Sequence, residues 1–289
     1  LHISEADRKD VNARAAVINQ SDLSFLCLPD AAAREVVPLL RPDVRILDTS
    51  TAHRTAPDWV YGLPELHGKR DALRTANRVA VPGCYATGFI TLVAPLVELG
   101  LLAADYPLTC HGLSGYSGAG KSGIAQYRDP ERDIAFESPR PYGLTLDHKH
   151  LPEMQKICGL SKAPVFVPIV DDYYKGMATT VPFHMSQLRG VATLHDVWQA
   201  YADYYGIYDG KRLVYVAGDP TDPEGGVEAS GKLYGAAKAG DNDLCLVVVG
   251  NDQAFTVTAL FDNLGKGASG AAVQNMNILL GLPETTGLL

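Results

Sequence analysis

Val79-Ala80-Val81-Pro82-Gly83-Cys84-Tyr85-Ala86-Thr87-Gly88 is the stretch whose reading decides the fold. A short apolar run predicts a strand, Pro82-Gly83 predicts a tight turn, and Ile90, Val93, Leu96 and Val97 recur with helical spacing between Tyr85 and Leu99. Strand, turn and helix in that order put Cys84 at or beside a helix N-terminus. Unpaired main-chain N–H groups and the positive end of the helix dipole favour the thiolate there, and the thiolate is the nucleophilic form. The competing reading is a small buried apolar thiol, the usual fate of a free cysteine.

Upstream, Ser24 to Leu28 is an apolar run stopped by Pro29-Asp30, Ala31 to Leu40 is helical in pattern and closed by Pro42, and Val44 to Asp48 is a second apolar run ended by Thr49-Ser50-Thr51. Strand, helix and strand at this spacing predict a parallel α/β unit, because parallel strands need a long crossover. Loops at the carboxyl ends of such strands usually carry ligands, and here those loops are Leu28-Pro29-Asp30 and Asp48-Thr49-Ser50. The next stretch (His53, Arg54, Trp59, Tyr61-Gly62-Leu63-Pro64-Glu65, Leu66) is too rich in turn residues for a helix and reads as a solvated loop, with Arg54 a candidate anion partner.

Downstream, Pro107 to Cys110 predicts a strand feeding a glycine- and serine-rich loop from Gly112 to Gly123. Within it, Gly115-Tyr116-Ser117-Gly118-Ala119-Gly120-Lys121-Ser122 fits the nucleotide phosphate-loop pattern letter for letter. That motif requires a helix directly after the Lys-Ser pair. The residues that follow here carry charge and proline without an apolar stripe, so no helix is expected and an anion nest of another kind is favoured. His148-Lys149-His150 with Glu153 three residues on is a compact acid–base group. Catalytic, structural and metal-binding readings remain open for it, although the spacing is not that of a helical zinc motif.

From Ala163 the pattern changes to short β-like runs at 164–170, 177–184, 212–217, 244–249 and 256–261, with one helix near 194–204. That density predicts a mixed or antiparallel sheet in a second layered domain. The tyrosines Tyr201, Tyr204, Tyr205 and Tyr208 read as packing. Asp262 to Gly270 is a glycine-rich loop before an apolar helix, so its free N–H groups could meet an anion or a cofactor amide.

The 289 residues, 46% hydrophobic and 20% charged, allow two globular domains. A net charge of −8 without a basic stripe argues against nucleic acid. No apolar run is long enough to span a bilayer and no leader pattern opens the chain, while five cysteines without a CxxC pair fit a reducing compartment. A cytoplasmic enzyme is the expectation.

Several segments together resemble one family, the N-acetyl-gamma-glutamyl-phosphate reductases of arginine biosynthesis, in their shorter second type. They are Cys27-Leu-Pro-Asp30, Asp48-Thr-Ser-Thr-Ala-His-Arg54, Tyr61-Gly-Leu-Pro-Glu65, Pro82-Gly-Cys-Tyr85, Ser114-Gly-Tyr-Ser-Gly118, His148-Lys-His-Leu-Pro-Glu153 and Asp262-Asn-Leu-Gly-Lys-Gly-Ala-Ser-Gly270. They follow the family's order over nearly the whole chain; Ala86 stands where the family more often has proline.

The resemblance implies a Rossmann-like NADP domain over 1–84 completed by 264–289, and an inserted α+β catalytic and oligomerisation domain of the semialdehyde-dehydrogenase type over 85–263. It makes Cys84 the nucleophile, His148 or His150 the acid–base group with Glu153, and Ser114, Gly115, Ser117, Gly118, Arg54 and Lys121 the substrate cradle. Leu28, Pro29, Asp30, Ser50, Asn263, Gly265, Lys266 and Gly267 then face NADP, no metal is needed, and a homo-oligomer is expected. The family opens with a strand, a glycine-rich loop and a helix that cradle the pyrophosphate, a unit on the order of 20 to 30 residues. No such loop precedes Leu1, so the sequence is expected to be truncated at its front and, as it stands, to bind NADP poorly. The alternatives are an aspartate-semialdehyde dehydrogenase, which shares the chemistry, a phosphate-loop nucleotide-binding protein and a cofactor-free binding module.

Overall fold

The computed structural model describes residues 3–207, 209–219 and 231–289; Tyr208 of the tyrosine group lies outside them. The chain divides into two compact units, 1–83 with 271–286 and 84–270 with 287–289.

The first unit begins with α1 (Val11–Ile18), whose Asp10 side chain caps the N–H groups of Asn12 and Ala13. It continues through β1 (Leu23–Leu26), α2 (Asp30–Val36), β2 (Arg45–Asp48), β3 (Val60–Tyr61), α3 (Lys69–Arg74) and β4 (Arg78–Ala80). The four strands pair in the order β1-β2-β4-β3, all parallel. One face of the sheet packs on α1 and α2 through Ala15, Val36 and Ile46, and the other buries Leu47, Leu73 and Val79. That second face is covered by Ala271, Ala272, Ile278 and Leu279 of α8 (Gly270–Leu279), so the end of the chain completes the layer its beginning lays down.

The expected solvated loop after β2 is not solvated. Ala52, His53, Arg54, Trp59, Tyr61, Leu63 and Leu66 are all buried, organised by one carboxylate. Asp48 is fully buried and accepts from the Ser50 N–H (2.9 Å) and hydroxyl (2.8 Å), with His53 Nδ1 at 2.6 Å. The His53 ring stacks on Trp59 at 4.2 Å. A buried charge needs partners that close its lone pairs, and those partners draw the turn-rich segment inward.

The second unit carries α4 (Cys84–Glu98), β5 (Thr109–Gly115), α5 (Gly120–Tyr127), β6 (Arg140–Pro141), α6 (Leu151–Ile157), β7 (Val165–Asp171), β8 (Met177–His184), α7 (Leu194–Tyr205), β9 (Val214–Val216), β10 (Leu244–Gly250) and β11 (Ala254–Phe261). The sheet runs β6-β7-β5-β8-β11-β10-β9. It is mixed, as expected: β5/β7 and β9/β10 are parallel and the other pairs antiparallel.

Two expected loops are ordered elements instead. The segment from Gly112 is β5 to Gly115, a 3-10 turn at Tyr116–Ala119, and then α5, so a helix does follow the Gly115 to Ser122 pattern. Tertiary stacking of Tyr127 on Tyr116 (4.6 Å) and edge-on contact with Phe136 (5.0 Å) stabilise this helix, which an apolar-stripe criterion misses. Likewise Gly265–Ser269 is a π-helical turn leading into α8, with Asp262 Oδ1 accepting from the Leu264 N–H at 2.8 Å.

Helix α4 is buried along most of its length and contains Pro95, which cannot donate to the Thr91 carbonyl one turn back. The Tyr205 hydroxyl donates to that carbonyl at 3.0 Å, and Tyr201 donates to the neighbouring Leu92 carbonyl. Tyr201 and Tyr205 are buried packing residues with this second duty, and Tyr204 donates to Glu98 Oε2 at 2.5 Å. Close approach is also permitted by Gly88, where a Cβ would lie 2.5 Å from Thr179 Oγ1 of β8.

Candidate active site

Cys84 is the first residue of α4, directly after the Pro82-Gly83 turn, and is half-buried. Its thiol therefore belongs to the first turn of the helix, at the positive end of the helix dipole. It lines a cleft of about 270 Å³ together with Ser114, Gly115 and Gly118, and with His148 and Lys149. The rings of Tyr85 and Tyr142 also line the cleft. Cys84, three of the six expected cradle residues and one of the two expected histidines thus share one wall system within the second unit.

The two histidines differ. His148 lines the cleft, whereas His150 is 5% exposed and precedes α6. The His150 main-chain N–H donates to His148 Nδ1 at 3.2 Å, so a neutral His148 carries its proton on Nε2. Burial, with the adjacent Lys149 charge adding to it, pushes the His148 pKa down to about 4, which keeps the ring neutral near pH 7. Tyr85 (5.8 Å) and Phe166 (5.2 Å) meet the ring edge-on. Tyr142 donates to the Tyr85 hydroxyl at 3.3 Å, and burial raises both phenols, Tyr142 to about 12. Glu153 is 1% exposed in the first turn of α6.

The Ser114–Gly118 segment is fastened to the 173–176 loop by main-chain bonds from Gly115, Tyr116 and Ser117 to Gly176, Tyr173 and Tyr174. Gly115 is required there, since a Cβ would lie 2.7 Å from main-chain atoms of Tyr174 and Lys175. Asn263 locks the same junction: its Oδ1 accepts from the Gly176 N–H (2.8 Å) and its Nδ2 donates to Ser117 Oγ (2.8 Å). Ser117 is consequently buried behind the cleft wall. Gly267 lies against Cys84, with a Cβ there falling 3.1 Å from Cys84 Cβ, while Gly265 and Lys266 are buried in the same turn.

The remaining expected residues lie elsewhere. Lys121 is exposed in the first turn of α5 and does not line the cleft. Arg54 belongs to the first unit, where it donates to the Val81 (2.9 Å) and Thr49 (3.0 Å) carbonyls and braces the strand ahead of the Pro82-Gly83 turn. Leu28, Pro29, Asp30 and Ser50 sit at the carboxyl ends of β1 and β2, where Asp30 Oδ1 accepts from the Thr51 N–H at 2.9 Å and ties the two loops together. Pro29 and Asp30 are exposed at the carboxyl end of β1. Sequence reasoning missed Lys149, Tyr85 and Tyr142 as cleft residues. Only the position of Lys149 between two histidines hinted at it. No cluster of three or more metal-ligating side chains exists among the described residues, and no helix there is long and apolar enough to cross a membrane.

A parallel α/β unit followed by a mixed-sheet unit with a cysteine at a helix start defines the class of semialdehyde dehydrogenases, and two family models agree. Residues 2–76 match the model "Semialdehyde dehydrogenase, NAD binding domain", and 84–263 match "Semialdehyde dehydrogenase, dimerisation domain". Solved structures with this fold include a probable aspartate-semialdehyde dehydrogenase from Pseudomonas aeruginosa, at 17% identity and TM-score 0.67 over 97% of this chain and 84% of that one. Aspartate semialdehyde dehydrogenase II from Vibrio cholerae, complexed with ASA, gives 17% identity and TM-score 0.65 over 91% and 81%. In sequence, the chain is 44% identical to N-acetyl-gamma-glutamyl-phosphate reductase 2 of Pseudomonas putida over 99% of its length and 90% of the relative's. It is also 44% identical to the enzyme of the same name from Nostoc sp., over 100% and 90%. The chain belongs to the N-acetyl-gamma-glutamyl-phosphate reductase family.

Proposed function

We propose that this protein reduces N-acetylglutamyl 5-phosphate to N-acetylglutamate 5-semialdehyde with NADPH, through a thioester on Cys84. The observation that carries the reading is the cleft shared by Cys84, at the start of α4, and His148, whose Nδ1 accepts from the His150 N–H and so leaves Nε2 as the donor. Cys84 Sγ attacks the acyl carbon, the bond to the phosphate oxygen breaks, and inorganic phosphate leaves. Covalent catalysis divides one hard displacement into two easier ones. A nicotinamide dinucleotide, when bound, supplies the hydride that reduces the thioester carbon. His148 Nε2–H hydrogen-bonds to the oxygen that gains charge at that carbon, and collapse of this tetrahedral oxyanion expels the Cys84 thiolate and releases aldehyde. One such donor at a developing oxyanion is worth about 10²–10³-fold in rate.

Ser114, Gly115 and Gly118 form the wall for the acyl-phosphate end, and Ser117 and Asn263 hold that wall in place. Lys149 serves as the anion partner at the cleft; Arg54 and Lys121 act outside it. Leu28, Pro29, Asp30 and Ser50 hold the dinucleotide. Gly265, Lys266 and Gly267 form the turn behind Cys84 on the nicotinamide side. Glu153 and His150 support His148 from α6. The description of the matching family model as a dimerisation domain supports self-association through the second unit, and five free thiols fit a cytoplasmic setting.

The test is the reverse reaction, with N-acetylglutamate semialdehyde, phosphate and NADP as substrates and aspartate semialdehyde run alongside. Cys84→Ser is expected to remove activity; retention of even a tenth of it, or a preference for aspartate semialdehyde, sinks the reading.

A further inference from the structure

A cavity of about 550 Å³ in the first unit lies outside the catalytic site. Arg45 at the start of β2, and Arg70 and Arg74 one turn apart on α3, face it. The last residues of α8 and the segment after it complete the wall, with Glu284 its one carboxylate. The cavity sits at the amino end of the parallel sheet, opposite the strand ends that carry Leu28, Asp30 and Ser50.

Three guanidinium groups converging on one space are mutually repulsive; like charges at i,i+4 on a helix already cost stability. The structure neutralises one of the three. Arg70 makes a two-pronged pair with Glu284 (Nε–Oε2 2.8 Å, Nη2–Oε1 3.1 Å), and Gln274 donates to the same carboxylate at 2.6 Å, which fixes its orientation. Arg45 donates through Nη1 to the Leu279 carbonyl at the end of α8 (3.0 Å), a contact that orients it without supplying negative charge. Arg74 meets Asp71 at 2.9 Å between side chains 63% and 81% exposed, an ion pair that solvent weakens. Two cations therefore remain poorly compensated at a preformed polar cavity.

We infer that this cavity is a binding site for a small multivalent oxyanion, gripped by Arg45 and Arg74 against the Arg70–Glu284 pair. Guanidinium forks match the planar edges of carboxylates and phosphates, and two forks from different elements select a ligand with two anionic edges. Such a ligand would pin α3 and the end of α8 to the sheet without touching the strand ends assigned to the dinucleotide.

Two probes distinguish the sources of that chemistry: inorganic phosphate and succinate. Hydrogen exchange on the intact protein should show protection at 69–74 and 278–284 with one of them at millimolar concentration. Arg74→Gln should weaken that protection roughly fivefold, as expected for the loss of one charge-assisted contact, with unchanged turnover in the reductive direction in buffer without added phosphate or succinate. Protection by phosphate confined to 148–154 would reflect the catalytic cleft alone and overturn the inference. So would the absence of protection with both anions, or protection undiminished in Arg74→Gln.

Discussion

His148 and Lys149 are adjacent in the chain and line the same cleft, where burial first and the Lys149 charge second hold the proposed oxyanion donor neutral. Burial and the neighbouring ammonium both oppose the charged imidazole. The folded protein therefore takes up this proton only near pH 4, against about 6.5 for an ordinary histidine. Between those values the unfolded chain binds more protons, so this group's contribution to stability rises with pH and is lost as pH falls through the window. Nitrogen-resolved NMR should find a neutral ring, protonated on Nε2, at pH 6; a resonance that titrates at or above that pH contradicts the geometry. Lys149→Met should raise the KM for the acyl phosphate by about tenfold, equal to ~1.4 kcal/mol, with a smaller change in kcat. It should also shift the His148 titration upward. A lysine that were only a solvated neighbour would leave KM where it was.

At the scale of elements, α4 carries Cys84, the proposed nucleophile, and the satisfaction of its backbone depends on residues far away in sequence. Pro95 leaves the Thr91 carbonyl without its helical donor and the Tyr205 hydroxyl supplies the substitute. Tyr205→Phe should cost about 1–3 kcal/mol, the penalty for orphaning a buried acceptor, measurable as a lower denaturation midpoint with an unchanged slope. The junction beneath the substrate wall is equally specific. Gly115→Ala places a methyl group against the main chain of Tyr174 and Lys175, so strain of about 1–3 kcal/mol and a large loss of activity are expected together. A fully active, equally stable alanine variant would rule out the close approach. Both arrangements were invisible to pattern reading, which recognised the glycines and tyrosines without the partners that explain them.

On the scale of the whole molecule, the two units have separate cores, and their stabilities can be perturbed separately. Leu73→Ala removes a fully buried side chain from the first unit and should cost about 2–5 kcal/mol. Hydrogen exchange should then rise across 45–81 and 271–279 and stay unchanged along β8 and β11. Uniform loss of protection through both units would mean that the chain unfolds as one cooperative body.

The sequence by itself determined the alternation of elements, because strand and helix periods are local and Pro-Gly turns punctuate them: β8 and α7 fall where the pattern put them, and Cys84 begins α4. It also supplied the candidates for the proposed chemistry, since a thiol after a turn and a histidine pair beside a carboxylate are recognisable by type and order. Tertiary structure decided the rest. It drew the segment after Asp48 inward to satisfy a buried charge, built α5 on aromatic stacking, and chose His148 over His150 for the cleft. It also separated Lys121 from the cleft wall and put Lys149 on it. Each of these outcomes depends on partners brought together from distant parts of the chain, and no local period encodes them.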